Sequence, residues 1–320
     1  MHYSFFIYLL LTPFVGISQS ISNSETMLIN AIEKINPKPT SISFHNSLDI
    51  NNHGGHLQGI QYINHKQNDF YVMSGSSDTY SYYSIVKIGN KNLVISTKIL
   101  LEKPFKHAGG FQIYRNLMAI GVEDDELKNK SKVLIFNIED PEKPPAEPIA
   151  VIDRLGTTKR ATAGCVGITV IRGKVLVVVG DWDTEHLDFY RIDHEKLGLD
   201  GEALELEYSL DTRKIDKSGW SDNEWLSYQN INFITDASGD LYLAGMTSND
   251  NEENVFDLFE IETEDLASFK LKKIYSKKFA GNKQTKFLWG AGIHFTKDNQ
   301  LRIASCGEHI EKKSFFNLYK

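Results

Sequence analysis

The chain has 320 residues, of which 41% are hydrophobic and 24% are charged, a composition typical of globular proteins with a sizeable core. This length permits one large all-β domain or two ordinary domains. The formal net charge is −7 and the sequence has no basic cluster. Because nucleic acid is bound through cations that neutralise its phosphates, we do not expect nucleic acid as a partner.

The N-terminal residues have the layout of a secretory signal peptide. An apolar run over 5–15 is followed by Gly16-Ile17-Ser18, so a cleavage after Ser18 would have small residues at positions −3 and −1. The run is too short to span a bilayer, and no later apolar stretch is long enough for a membrane helix. One departure is that the run is preceded by His2 and by no Lys or Arg. The pattern predicts a signal peptide over 1–18 and a secreted or periplasmic protein; the alternative is a buried N-terminal strand or helix.

The next segment, 19–39, contains the main helix signal of the sequence. Ser24 is a suitable N-cap, and Pro37 and Pro39 prevent a helix from continuing. We therefore predict one short helix over 24–35. The remainder, 40–320, is predicted to form a single domain.

This domain is built on a repeat in which a polar residue and small or apolar residues begin a strand. The motif is clearest in His107-Ala108-Gly109-Gly110-Phe111-Gln112, where the two glycines let neighbouring backbones approach each other. Weaker copies begin at His56, Thr162, Ser227 and Trp289, and successive copies lie 51, 55, 65 and 62 residues apart. Spacing of this kind is typical of repeat architectures.

Each copy is followed by short apolar or alternating stretches that read as strands separated by polar turns. Four units contain four predicted strands, whereas the fifth, from 289 to the end, contains three. The missing strand is available in 40–50. We therefore predict an all-β, five-bladed β-propeller with four-stranded antiparallel blades, closed by this N-terminal strand. The alternatives are a β-sandwich, a pair of small β domains, or six blades.

Three short segments carry a family resemblance. Gly180-Asp181-Trp182-Asp183 follows a predicted second strand, and Asp188-Phe189-Tyr190 and Asp257-Leu258-Phe259 lie in predicted third strands. Together with the four-strand period and the closing strand, they resemble secreted bacterial five-bladed β-propellers of no characterised activity. The resemblance covers roughly 40–320 and is one of architecture. Five-bladed glycosidases of the arabinanase and levansucrase type share the blade number, but their carboxylate motifs do not match here, so none of their catalytic residues is carried over.

The predicted topology brings two sets of polar residues to one mouth of the ring. In an antiparallel blade the first strand starts, and the second strand ends, on the same face of the ring. Ligand sites are concave and hold a few convergent polar groups, so this mouth is the expected site. We predict three catalytic candidates: His56, His107 and Asp181. The predicted ligand-binding residues are Gln58, Gln112, Glu123, Trp182, Asp183, Asn230, Trp289 and His294.

Several of these residues also have a purely structural interpretation. His56 and His107 could bond a backbone carbonyl of a neighbouring strand. Acidic loops, such as the one with Asp250 and Glu252, are most often simply solvated. For the segment at Asp181, a functional role is favoured over a structural one, because this segment places a Trp between two carboxylates in a short turn.

Three functions are compatible with this mouth. The first is binding of a small polar ligand, a carbohydrate or another polyol, whose ring could stack on a Trp. The second is a hydrolase or lyase that uses the same His, Asp and Glu residues, with or without a metal. The third is a scaffold for a protein partner. No cofactor is certain from the sequence; carboxylates without a thiolate cluster suit Ca²⁺ better than Zn²⁺.

Overall fold

The computed structural model describes residues 18–236, 238–249, 251, 253–282 and 284–320. The predicted signal peptide lies almost wholly outside these residues, as do Asp250 and Glu252. The described part is all-β apart from one α-helix and four short 3₁₀ helices. None of its helices is long and apolar enough to cross a membrane.

The α-helix, α1, spans Ser18–Lys34 and therefore begins before the predicted start at Ser24. Leu28, Ile32 and Ile35 are buried against the β-structure. The ammonium group of Lys277 donates hydrogen bonds to the carbonyl oxygens of Ile32, Glu33 and Ile35, at 2.9, 2.8 and 2.7 Å. A cation at this end satisfies carbonyls that have no partner within the helix, so the helix is fixed to the domain at its C-terminus.

Twenty strands follow in the described residues, and after β1 they fall into consecutive antiparallel units. Unit 1 is β2–β5, unit 2 is β6–β9, unit 3 is β10–β13, unit 4 is β14–β17 and unit 5 is β18–β20. The strands are β1 (Thr40–His45), β2 (Leu57–His65), β3 (Asn68–Ser76), β4 (Tyr80–Ile88), β5 (Leu93–Glu102), β6 (His107–Tyr114), β7 (Leu117–Glu123), β8 (Lys130–Asn137), β9 (Ala150–Leu155), β10 (Cys165–Ile171), β11 (Lys174–Gly180), β12 (His186–Asp193), β13 (Glu205–Asp211), β14 (Asn230–Thr235), β15 (Leu241–Ser248), β16 (Asn254–Glu262), β17 (Lys270–Phe279), β18 (Ala291–Phe295), β19 (Leu301–Cys306) and β20 (Lys313–Tyr319).

The two ends of the domain pair with each other. β1 runs antiparallel to β20, in a register that extends from Thr40 opposite Leu318 to His45 opposite Lys313. Unit 5 therefore acquires a fourth strand from the beginning of the domain. The first strands of the units, β2, β6, β10, β14 and β18, each contact the next one, and β18 contacts β2.

The apolar core is divided among the gaps between units. Five buried clusters occur in the described residues, and each joins residues of two neighbouring units. One of them joins unit 5 and β1 to unit 1, through residues such as Phe316, Phe44 and Tyr71. Each sheet buries one of its faces against the preceding unit and the other against the following unit, so the core holds the units in a fixed order.

The glycines of the clearest motif copy lie where the first strands approach each other. A Cβ on Gly109 would lie 2.3 Å from the carbonyl oxygen of Gly164, and one on Gly110 would lie 2.1 Å from that of Gln229. Real Cβ atoms do not tolerate such distances, so only glycine fits at these two positions. This agrees with the packing role predicted for them, and it places the motif copies side by side around one opening.

Candidate functional site

The beginnings of the first strands and the loops after the second strands surround one cavity of about 260 Å³, called the histidine cavity below. Its walls come from all five units, so its composition depends on the arrangement of the whole domain. The residues that line it are His56, Gln58, His107, Glu123, Gly164, Asp181, Trp182, Asp183, Tyr228, Gln229, Leu288 and Trp289.

Most of the predicted site residues meet in this cavity. All three catalytic candidates line it, and so do five of the predicted ligand-binding residues. The catalytic candidates are His56, His107 and Asp181, and the others are Gln58, Glu123, Trp182, Asp183 and Trp289. The structure thus brings these side chains together, while their roles stay predictions.

Three predicted ligand-binding residues lie elsewhere. Gln112 and His294 line a second cavity, of about 380 Å³, at the opposite ends of the first strands. His107 pairs with Glu123 and Gln112 with Ala119, four residues away on β7, so at about 3.3 Å per residue Gln112 lies roughly 13 Å along the sheet from His107. Asn230 is fully buried and donates a hydrogen bond to the carbonyl oxygen of Gln58, at 3.1 Å. The prediction that these three residues line the histidine cavity was wrong. A residue near the start of a strand can still lie further along the strand or point into the protein interior.

Gln58 connects the two histidines that gave the cavity its name. The Nδ1 atom of His56 lies 3.0 Å from the carbonyl oxygen of Leu57, to which it donates. Burial lowers the pKa of His56, so the ring is neutral and its Nε2 atom accepts. The amide nitrogen of Gln58 lies 3.3 Å from this Nε2 and 2.9 Å from the Nε2 of His107, and donates one hydrogen to each. The Nε2 atoms of both histidines are therefore already in contact with the Gln58 amide.

Glu123 fixes the orientation of the His107 ring. It is the last residue of β7 and is fully buried. Its Oε1 accepts from Nδ1 of His107 at 3.0 Å, and its Oε2 accepts from the backbone N–H of Ala163 at 2.8 Å. The Nδ1 atom of His107 is thus held by Glu123, and its Nε2 atom faces the Gln58 amide.

Asp181 is held in a similar way by another histidine. It follows β11, and its two oxygens accept from the backbone N–H and from Nδ1 of His186, at 2.8 and 2.7 Å. The Nε2 atom of His186 lies 3.3 Å from the Nη2 atom of Arg213 and 3.8 Å from Oδ2 of Asp211. Burial raises the pKa of Asp181, and the hydrogen bonds from His186 offset part of that rise.

Aromatic rings form an arc along the cavity wall. The ring centroids lie 5.5 Å apart for Trp289 and His56, 5.8 Å for His56 and His107, and 6.1 Å for His107 and Trp182. Trp182 begins a 3₁₀ turn, Trp182–Thr184, in which Asp183 has a φ of 66°. The backbone N–H of Trp182 donates to the hydroxyl of Thr162 at 2.7 Å, which fixes the turn to the neighbouring motif copy. The ammonium of Lys128 lies 3.5 Å from the centre of the Trp182 ring.

Some functional features were not predicted from the sequence. Tyr228 and Leu288 line the cavity although they were not predicted to, and His186 was not recognised as the partner of Asp181. Tyr228 and Leu288 are neighbours of the motif residues Ser227 and Trp289, which was an available signal. No comparable signal exists for the His186 contact, because it depends on how the turn folds back onto β12.

The polar groups at the cavity are mostly satisfied by the protein. One exception is the Oε1 atom of Gln58, which is buried and has no hydrogen-bond partner in the part of the chain that the structure describes. In that same part, no group of three or more His, Cys, Asp or Glu side chains is arranged to hold a metal ion.

Comparisons with known proteins show the fold and no more. No protein-family model matches the chain, and no curated protein is similar to it in sequence. A GH43_1 enzyme from Xanthomonas citri superposes with a TM-score of 0.50 at 10% identity, over 91% of this chain and 92% of that one. Its complex with xylotriose gives 0.50 at 11% identity over the same shares.

The catalytic domain of a Coprinopsis cinerea GH62 α-L-arabinofuranosidase is also similar, with a TM-score of 0.48 at 11% identity over 82% of this chain and 91% of that one. At identities this low, the likeness to the GH43_1 enzyme shows a shared β-propeller fold alone. The architectural resemblance to β-propeller proteins that the sequence indicated is thereby confirmed.

Proposed function

We propose that the chain is a five-bladed β-propeller closed by β1, and that the histidine cavity binds a small polyhydroxylated molecule, such as one sugar residue. The blade number is supported by the five units, by the closed cycle of contacts among their first strands, and by the pairing of β1 with β20. A ring of this kind gathers five strand starts around one opening, which is where the cavity lies.

The observation that carries the binding proposal is the unpartnered Oε1 atom of Gln58 in a cavity walled by Trp182 and Trp289. A buried acceptor without a donor is costly, by about 1–3 kcal/mol, and a ligand hydroxyl would supply the donor. Indole rings pack against the apolar face of a sugar ring. A volume of about 260 Å³ lies just below the roughly 300–1,000 Å³ of sites for drug-sized ligands, so it suits a molecule of one ring.

Binding is favoured over hydrolysis by the state of the ionisable groups. Glycoside hydrolysis needs one carboxyl group that gives up a proton and a second that acts as base or nucleophile. Both oxygens of Glu123 and both oxygens of Asp181 already accept hydrogen bonds from fixed protein donors. The Nε2 atoms of His56 and His107 are likewise occupied by Gln58. Catalysis by these groups would therefore require them to give up some of their present hydrogen-bond partners.

A hydrolase or lyase is the second candidate, and one observation favours it. The pair of His107 and Glu123 has the geometry of an oriented general base, with a carboxylate that fixes the imidazole tautomer. Similar solved structures include a protein named as a GH62 hydrolase in complex with xylotriose, although at a TM-score of 0.49. Catalysis at His107 would require Gln58 to move away from its Nε2 atom.

Calorimetric titration of D-xylose, L-arabinose and D-glucose, with tryptophan fluorescence as a second signal, tests the proposal. We expect the wild type to bind at least one of them, and Gln58→Met to weaken that binding tenfold or more, since Met has similar length and no acceptor. Gln67→Met, at an exposed turn between β2 and β3, is the matched control and should bind as the wild type does. Absence of binding to every sugar would overturn the proposal. Products detected by NMR after incubation with xylotriose would replace it by the hydrolase.

The location is proposed on the sequence pattern of 1–18. We infer a secreted or periplasmic protein whose mature chain begins at Gln19. Mass spectrometry of the N-terminal peptide, after expression of the full chain in a host with an export machinery, measures this directly. A chain that keeps Met1 and stays with the cytosolic fraction would contradict it.

A further inference from the structure

Buried carboxylates are few in this protein, and most of them have a cation beside them. Three of the five in the described residues contact Lys or Arg. Lys130 lies 3.4 Å from Asp124, Arg154 and Arg160 lie 2.7 and 2.6 Å from Asp188, and Lys273 lies 3.0 Å from Asp257. This is the usual arrangement, because an ion without a partner is costly to remove from water.

The two buried carboxylates of the histidine cavity are the exceptions, whereas its third carboxylate, the partly exposed Asp183, lies 3.1 Å from Lys159. Among the described residues, Glu123 and Asp181 form ion-pair contacts with histidine only, namely with His107 and His186. The Nε2 atom of His107 lies 2.9 Å from the amide nitrogen of Gln58, and that of His186 lies 3.3 Å from the Nη2 atom of Arg213. None of the residues that line the cavity is Lys or Arg. Two buried carboxylates therefore face one cavity that has no Lys or Arg among its lining residues.

Both carboxylates can accept further hydrogen bonds. An ionised carboxylate offers about four lone-pair sites, and only two are occupied on Glu123 and two on Asp181. The same cavity is lined by the indole rings of Trp182 and Trp289. Aromatic faces attract cations, as the Lys128 ammonium over Trp182 shows in this protein. Carboxylates and aromatic rings together make a wall that suits an ammonium group.

We infer that the ligand of the histidine cavity carries a positive charge, and that it is a polyol with a free amino group, such as an amino sugar. The ammonium group interacts with Glu123 and Asp181, and a hydroxyl group satisfies Gln58. This inference rests on the proposed polyol-binding function and adds the charge of the ligand to it. It also explains why two buried carboxylates were left without a protein cation.

The test compares three sugars that differ at one substituent: D-glucosamine, N-acetyl-D-glucosamine and D-glucose. The first has a free amine, which is protonated at pH 6.5 as comparable amines are. In the second the amine is acylated and neutral, and the third has a hydroxyl group in its place. Choline serves as a fourth probe, because it has a fixed positive charge and no sugar ring. By calorimetry at low ionic strength, we expect D-glucosamine to bind at least tenfold more tightly than the two neutral sugars.

Two variants separate the local charge from the net charge. Asp181→Asn should reduce the preference for D-glucosamine to threefold or less. Asp298→Asn, at an exposed position in the turn before β19, changes the net charge equally and should keep the preference. If Asp181→Asn does not fold, the salt dependence of the wild type replaces it. The preference must then shrink between 0.01 and 1 M NaCl, as the screening length falls from about 30 to 3 Å.

The outcomes distinguish this inference from the function on which it rests. Equal affinity for all three sugars would leave the polyol site in place and overturn the charged ligand. Binding of choline without binding of any sugar would support the charge and overturn the polyol. Absence of binding by all four probes would overturn both.

Discussion

The carboxylates inside the third strands and those at the cavity are stabilised by different means. Asp188 and Asp257 lie in β12 and β16, and each is bound by Lys or Arg and lies beside a tyrosine hydroxyl. Glu123 and Asp181 lie at the ends of second strands and are bound by imidazole rings and backbone N–H groups. All four carboxylates line cavities, but those of the first pair have Lys or Arg beside them within the cavity wall. The cavity of the second pair has no Lys or Arg among its lining residues.

The difference is also visible in the protonation equilibria. Burial raises the pKa of Asp188, but the hydrogen bonds and charges of Arg160 and Arg154 outweigh it, and the net pKa lies below the usual range. At Asp181 burial dominates, and the pKa lies above the usual range. Two buried aspartates a few residues apart thus differ because Asp188 is bonded by two guanidinium groups, whereas Asp181 is bonded by the backbone and ring of His186.

The largest expected effect is the loss of a cation that pairs with a buried carboxylate. Lys273→Met should lower the free energy of unfolding by about 3–5 kcal/mol, because it leaves the fully buried Asp257 without its ion pair. Urea unfolding followed by fluorescence measures the loss. Lys272→Met, at the neighbouring exposed position, should change stability by less than about 0.5 kcal/mol. Equal effects of the two variants would contradict the role given to the buried pair.

A second test concerns His294, a buried ionisable residue of the second cavity, at the opposite ends of the first strands. Burial lowers the pKa of His294 to about 3, and both ring nitrogens lack partners among the described residues. The folded state therefore binds the proton less well than the unfolded state, whose pKa is about 6.5. The stabilisation is complete above pH 6.5 and is lost as the pH falls towards 3, at about 1.4 kcal/mol per unit.

On this basis, wild type and His294→Phe should diverge on acidification. Between pH 7 and pH 5 the wild type should lose about 2 kcal/mol more than the variant in urea unfolding, since Phe cannot take up a proton. His45→Asn, at an exposed histidine of β1, should retain the wild-type slope. Parallel curves for wild type and His294→Phe would show that the ring takes up protons while folded.

A smaller effect is expected when the cavity charge itself is removed. Glu123→Gln should lower the free energy of unfolding by about 1 kcal/mol. The variant loses one of the two hydrogen bonds, to His107 or to Ala163, but it also removes a buried charge that has no Lys or Arg beside it. The measurement is the same urea unfolding at pH 7. A loss of 3 kcal/mol or more would mean that Glu123 belongs with Asp188 and Asp257, and the contrast between the two regions would fail.

The smallest effect is a pH slope at the cavity. Because the pKa of Asp181 is raised on folding, its contribution to stability is fully present below the unfolded pKa of about 3.8 and is lost as the pH rises through the folded pKa. The wild type should therefore lose stability relative to Asp181→Asn between pH 3.5 and pH 7. A wild type that gains on this variant over that range would place Asp181 with the cation-paired carboxylates.

Much of the architecture was predictable from local pattern. Alternating apolar stretches, polar turns and the return of one motif determine that the chain forms successive antiparallel units, because side-chain periodicity and turn chemistry are local properties. The convergence of His56, His107 and Asp181 was predictable as well, since antiparallel pairing forces the start of a first strand and the end of a second strand to one face. The helix was predicted, but its start at Ser18 was not.

The tertiary structure alone decided which polar side chains reach the cavity and in what state. Gln112, Asn230 and His294 were equally plausible from sequence, yet the register of the first strands places them in the interior or at the far opening. The charge state of the cavity depends on contacts between distant segments, such as Glu123 with Ala163 and Gln58 with His107. Pattern in the sequence determines what repeats locally, whereas hydrogen-bond partners across units depend on distances that exist only after the units have packed against each other.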